Sequence, residues 1–209
     1  MKKRPISSQR RSDLCDAAVE LLAAEGARGL THRGVDRRAG FAEGTTSFYY
    51  QTRAELLRGA LDRIVELDVV DYTAALASDG HANSLLHQLA ESAIENATVN
   101  RARVKARFEL MMIASREPAL KAVFDDFFNK FVALSEAAVG EVQQTRGNVD
   151  QVLIKQQAFA VVTFLGGFLF RLAYGLADGV DAAALESLLR GVISGVAEEH
   201  KRSSAAPGC

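Results

Sequence analysis

The side chains best suited to chemistry with a partner lie close together in this 209-residue chain, between Thr31 and Arg53. Thr45 and Thr46 are small and hydroxylated. On a short projecting helix, each can meet a thymine methyl or a phosphate oxygen. Gly44, just before them, lets another backbone approach closely. Arg53 follows Thr52 at a helix start, where its guanidinium and the unpaired N–H groups of the first turn attract phosphate together. Glu43 either accepts from a cytosine amino group or caps the short helix, and the cap is the preferred reading. Lys2, Lys3, Arg4, Arg10 and Arg11 form a basic arm ahead of this stretch, which adds sequence-independent affinity. This is chemistry of recognition and not of bond making. Only His32, His81, His87 and His200 are available as histidines, and none is spaced i, i+4 with a carboxylate between. A Gly-rich phosphate loop, a G-x-S-x-G turn and a Cys–His pairing are also lacking. The chain reads as a non-enzyme without metal or cofactor.

Helices must position these residues. Pro5, Pro118 and Pro207 are the only prolines, and no alternating strand pattern appears, so the fold class is all-α with about nine helices. The first runs from Ser8 to Glu25, burying Leu14, Ala18, Leu21 and Leu22, and stops at Gly26. Thr31 caps a short helix from His32 to Ala39. Gly40 turns the chain with a positive φ, and a second short helix follows from Glu43 to Tyr50. Val35 and small Ala39 face inward so the two short helices approach closely, and Phe41 closes their core with Phe48 and Tyr50. Thr52 and Glu55 form a capping box for a long helix, Arg53 to Ala77, with Leu57, Ala60, Leu61, Ile64 and Leu67 on its apolar side. Further helices are expected over Asn83–Asn100, Arg103–Ser115 and from Pro118 to about Gln144. One capped by Asp150 lasts to Asp178-Gly179, and one capped by Asp181 ends near Lys201.

Bulk composition agrees. Through Arg63 there are 12 basic against 8 acidic residues, or +4; beyond it 13 against 18, or −5, a basic head on an acidic body. Cys15 and Cys209 suit neither a metal site nor a disulfide framework, which points to a reducing cytoplasm. No secretory leader is apparent, and the apolar run from Ala158 to Phe170 is too short to span a bilayer, so no membrane partner is expected.

Thr31, Ala39-Gly40-Phe41, Gly44-Thr45, Phe48-Tyr49-Tyr50, Arg53 and Glu55-Leu56-Leu57 together resemble the helix-turn-helix of the tetracycline-repressor (TetR) family of bacterial regulators. Ser47 stands where that family often carries a phosphate-touching aromatic, and Gln51-Thr52 replaces the usual Pro-Ser. The resemblance implies that Tyr49 bonds a phosphate and that Arg33 reaches a base, a guanine being the favoured target. It also implies that the last two helices pair with their twin in a homodimer that reads a pseudo-palindromic double-stranded operator. Phe159, Leu165, Leu169, Leu185, Leu188, Leu189, Val192 and Val196 are the residues that would meet there. Repression is the implied mode, relieved by a small-molecule effector.

The middle helices offer a soft wall for an apolar or aromatic effector: Phe108, Met111, Met112, Phe124, Phe127, Phe128 and Phe131, joined by Phe164 and Phe168. His87, Asn96, Arg103, Arg107, Glu109 and Arg171 are the polar candidates beside it. Arg171 either holds an acidic ligand or pairs with a carboxylate at the dimer edge. The chain thus divides into a DNA-binding head (1–55), a ligand-binding and dimerisation body (56–201) and a disordered tail (202–209). A helical small-molecule-binding or scaffold protein without specific DNA binding is the alternative.

Overall fold

A computed structural model describes residues 6–77, 84–145, 147, 150–177 and 179–205. His81, Cys209, Asn83 and the first three basic residues of the arm lie outside them. The described residues form helices and no strands: α1 Ile6–Gly29, α2 His32–Ala39, α3 Thr45–Tyr49, α4 Arg53–Ala77, α5 Leu85–Thr98, α6 Arg101–Ala114, α7 Pro118–Thr145, α8 Gln151–Ala173 and α9 Ala182–Ala205. They sort into two compact units, one holding the described residues of 6–68 and 100–125, the other those of 69–99 and 126–205.

In the first unit α1 packs on α2 and α6, and α2 on α3. The apolar stripe of α1 is buried as its spacing predicts, with Leu14, Ala18, Leu21 and Leu22 at most 3% exposed. Leu57, Ala60, Leu61 and Ile64 of α4 are buried likewise, while Leu67 is only half-buried. Gly26 breaks the helical path of α1 at φ 67°, and one more turn carries it to Gly29. The carboxylate of Glu109 on α6 accepts the Ala27 N–H in that turn. Asp68 is buried against two buried guanidinium groups, with Arg103 Nε at 2.9 Å from one oxygen and Arg107 on the other. A carboxylate in such a place is tolerable only because two cations offset its desolvation.

The second unit is built on the mutual packing of α5, α8 and α9. Leu86, Leu89, Ala90, Ala93 and Ala97 from α5 meet Ile154, Ala158, Val161, Leu165, Phe168 and Leu172 from α8 and Leu185, Leu189 and Ile193 from α9. Three helices with i, i+3, i+4 stripes can close such a core. Its buried polar groups bond to each other: Gln143 donates to Gln157, whose own amide donates to the Ile193 carbonyl, both at 2.7 Å. Tyr72 and Ser135 share a 2.6 Å bond, and burial pushes the Tyr72 phenol up to about 12 although that bond lowers it.

Several helix ends differ from expectation for identifiable reasons. Asp150 and Asp181 cap α8 and α9 as expected. However, α8 stops at Ala173, because Gly175 takes φ 70° and its neighbour Leu176 N–H closes on the Arg171 carbonyl at 2.7 Å. Ser84 caps α5, accepting the His87 N–H. α9 continues to Ala205, so Arg202–Ala205 of the expected tail are helical.

Glu186 on α9 ties that helix to α5. It accepts from Ser84 Oγ at 3.0 Å, pairs with His87 Nδ1 at 2.8 Å and accepts Arg190. Burial alone would raise its carboxyl, but the hydrogen bonds from Arg190, His87 and Ser84 outweigh it and hold the group below its ordinary 4.5. A carboxyl lowered on folding adds stability that is fully present above its unfolded value and lost as pH falls through its folded one. Glu186→Gln should therefore flatten the loss of stability below about pH 4.5 in urea titrations, compared with the parent protein.

Candidate nucleic-acid interface

The site is built around α2, the turn after it, and α3. Thr31 accepts the Gly34 N–H at 3.0 Å and starts α2. Gly40 ends it at φ 69°, and the next residue, Phe41, donates back to the Asp36 carbonyl at 2.9 Å. The chain then turns again at Gly44, φ 94°, where a side chain would strain the backbone although nothing stands in its way. The Asp36 side chain, only 2% exposed, holds this second turn. Its two oxygens accept the Gly44 N–H at 2.8 Å, the Thr46 N–H at 2.7 Å and the Thr46 hydroxyl at 2.5 Å. Hydrogen bonds to a charged acceptor are each worth about 1.5–3 kcal/mol. Three of them fix how α3 leaves the turn.

Tyr50 anchors the other end of α3. Its carbonyl bonds His32 Nε2 at 2.8 Å and its hydroxyl lies 3.0 Å from Cys15 Sγ. Burial pushes both the Cys15 thiol and the Tyr50 phenol up, so the pair stays neutral and the thiol is a poor nucleophile. The ring lies so close to Gly59 on α4 that a Cβ there would come within 2.6 Å of it. A capping box then opens α4, with the Glu55 N–H on Thr52 Oγ1 and Glu55 Oε2 accepting from Gln51 and Thr52.

Thr45, Ser47, Phe48 and Tyr49 remain on the outside. The Thr45 hydroxyl is spent on the Ala42 carbonyl at 2.6 Å. Tyr49 is half-buried, with the Arg11 guanidinium 5.4 Å from its ring centre, which brings one residue of the basic arm beside α3. Arg33 stands exposed at the start of α2 and pairs with Glu43 at 3.0 Å. Arg53 is also exposed and donates to the Ala27 carbonyl at 2.5 Å. A cleft of about 420 Å³ opens beside Tyr49 and Tyr50; among the charges that line it, Arg58 pairs with Asp62 and Arg63 with Asp16 and Glu66.

Three sequence readings of this stretch are corrected. Thr46 does not project with Thr45; it is fully buried against Asp36. Phe48, expected in the core beside Tyr50, is 80% exposed, because the i, i+4 pair Thr46 and Tyr50 takes the inward face of so short a helix. Glu43 caps nothing: α3 begins at Thr45 behind Gly44, with no side-chain cap, and Glu43 turns to Arg33. Sequence reading missed Asp36 and His32 as organisers. A lone Asp and a lone His on a short helix carry no signal until their partners, found 10 and 18 residues on, are known.

The effector candidates fall in both units. In the first, Phe124 is buried and Phe108 half-buried, while Met111 and Met112 lie exposed. Arg103 and Arg107 are committed to Asp68 and Glu109 to Ala27. In the second, both His87 nitrogens face carboxylates, Glu186 and Glu91, Asn96 donates to the Ser92 carbonyl, and Arg171 is exposed with its donor on the Leu176 carbonyl. Each of these charged groups thus has a partner within its own unit. Phe168 is core, with Phe131 and Phe164 packed on that core. Phe131 meets Tyr72 and Phe127, and Phe128 meets Phe159, with ring centres 4.5–5.5 Å apart. Of the residues expected between protomers, Leu165, Leu185 and Leu189 are buried inside the chain's own core. Phe159 and Leu188 are 56% and 49% exposed; Leu169, Val192 and Val196 are half-buried.

Two short helices held at a tight turn, the second presented outward behind a long helix, define a helix-turn-helix protein. The family described as tetracyclin repressor-like, C-terminal domain, matches residues 78–195, more than half of the chain. The chain belongs to the tetracycline-repressor family, whose members are transcriptional regulators and not enzymes. No curated protein matches it. Among solved structures, the multidrug binding protein EbrR complexed with ethidium is 27% identical, with 88% of this chain and 98% of that one covered and a TM-score of 0.63. A TetR-family member from Streptomyces coelicolor A3 is 24% identical over 88% of this chain and 98% of that one, at a TM-score of 0.70. A transcriptional regulator from Rhodococcus sp. Rha1 is 16% identical over 90% and 96%, at 0.69. The last two show the fold alone.

Asp36→Ala orphans two backbone donors and a hydroxyl, so it should lower the unfolding free energy by at least about 3 kcal/mol and abolish DNA retention. Thr46→Val keeps the backbone bond and should cost about 1 kcal/mol with retention preserved. Urea unfolding and fluorescence anisotropy on labelled duplex check the pair.

Proposed function

We propose that the chain represses transcription in the cytoplasm as a homodimer bound to a pseudo-palindromic operator, and that a small apolar or aromatic effector releases it. The observation that carries this reading is the Asp36-held turn, which gives α3 one fixed exit and leaves its outer side to a major groove about 12 Å wide. Thr45, Ser47 and Tyr49 meet the duplex there. Arg33 exchanges Glu43 for a base, and Arg53 with the N-terminus of α4 meets phosphate. Thr31, Gly44 and Thr46 position these groups from behind, through the cap, the turn and the bond to Asp36.

Dimerisation supports two such heads. Along α8 and α9, Val152, Phe159 and Leu188 are exposed, with Val192 and Val196 beside them. An apolar stripe on two neighbouring helices fits an isologous four-helix interface. The length and apolar composition of α8 would also suit a bilayer, with a mean hydropathy of 1.6 over its most apolar window. Packing of its other face against α5 and α9, and exposed Gln151, Lys155 and Gln156 at its start, favour a twin helix as the cover.

The effector is held by rings and not by an ion pair. The charged candidates are engaged, whereas Phe127, Phe128 and Phe131 on α7 with Tyr72 offer a polarizable wall. EbrR, solved with ethidium and with imidazole, is a relative with aromatic ligands. Binding there shifts α4, continuous from Arg53 to Ala77, and the two heads leave their spacing of about 34 Å.

Purified protein should retain its own upstream intergenic duplex against excess competitor, with affinity falling steeply with salt, and a panel of aromatic compounds should include one that releases it. Equal retention of every sequence would leave a helical ligand-binding or scaffold protein. Leu188→Arg should give folded monomers by sedimentation and lose operator retention; an unchanged dimer would remove this stripe from the interface.

A further inference from the structure

We infer that Phe48 is the operator-reading residue at the centre of the recognition face, and that it selects thymine by its C5-methyl group; this rests on the DNA-binding reading above. Side chains on an α-helix advance by about 100° per residue. Thr46 and Tyr50, 0% and 8% exposed, mark the inward direction of α3. Phe48 then lies about 180° from their mean, flanked by Thr45 and Ser47. Its 80% exposure agrees, and its ring is the most exposed large apolar side chain among the described residues. Edge contact with the Tyr49 ring, centres 5.1 Å apart, restricts how far it can swing.

The neighbours decide what such a ring can read. Guanine is read by Arg or Lys, adenine by Asn or Gln, and cytosine by Asp or Glu. From Thr45 to Tyr49 none of these residues occurs. The Thr45 hydroxyl is bonded to Ala42, and the nearest charged pair, Arg33 with Glu43, belongs to α2 and the turn. The one base feature in the major groove that an aromatic ring satisfies without leaving a polar group unpaired is the thymine methyl. Phe48 therefore favours A·T pairs at the middle of each half-site, with specificity carried by apolar contact and not by a hydrogen bond.

The test uses full-length protein to enrich a duplex from a randomised pool, then replaces each thymine singly by deoxyuridine, which deletes only the methyl. One or two positions per half-site should lose about tenfold in affinity. Phe48→Ala should weaken the unsubstituted duplex by a similar factor and show no further loss with deoxyuridine at those same positions. Its thermal unfolding should match the parent's. The inference is overturned if no deoxyuridine weakens the parent protein, or if Phe48→Ala stays as sensitive as the parent. It is overturned too if Phe48→Ala weakens all duplexes equally, which would make the ring a non-specific wedge. Failure to enrich any duplex would instead sink the DNA-binding reading and this inference with it.

Discussion

One buried carboxylate sets the geometry on which the function depends. Asp36 has almost no access to water, so its charge must be met by donors, and the donors within reach are the Gly44 N–H and the N–H and hydroxyl of Thr46. An ionised group left without them would cost several kcal/mol. The turn is therefore held in a conformation that delivers all three, with Gly44 donating its own from φ 94°. Once Thr46 is drawn inward, Tyr50 follows it one turn later and Phe48 must face out.

A carboxylate answered by several donors inside the protein recurs in both units, fully buried at Asp68 and half-buried at Glu186. Asp68 answers Arg103 and Arg107 in the first; Glu186 collects Ser84, His87 and Arg190 in the second. These clusters engage ionisable groups that the sequence offers as ligand candidates. Aromatic side chains of α7, with Tyr72, pack against one another. Phe159 and Leu188 of α8 and α9 stay exposed.

Much of the architecture was legible in the sequence because it depends on local rules. Helix count, the caps at Thr31, Asp150 and Asp181, the Thr52–Glu55 capping box and the αL turn at Gly40 each require residues within a few positions of one another. The buried stripes of α1 and α4 followed from periodicity. Errors arose where the deciding partner was distant or the element short. Five residues of α3 carry too little periodicity to show which face is inward, so Thr46 and Phe48 exchanged places. Leu165, Leu185 and Leu189 have the same spacing whether they meet α5 or a second protomer, and only packing tells the two apart.

The sequence by itself determined the all-helical class, the helix-turn-helix and the family, since hydrophobic period, turn residues and capping chemistry are properties of neighbours along the chain. Tertiary structure alone decided which residues of that motif face outward, which arginines pair with carboxylates and which leucines are spent on the protein's own core. Those outcomes are set by burial and by charge pairing across tens of residues, as between Asp68 and Arg107 or Cys15 and Tyr50. A side chain's type and spacing do not encode which distant group will desolvate it or bond to it.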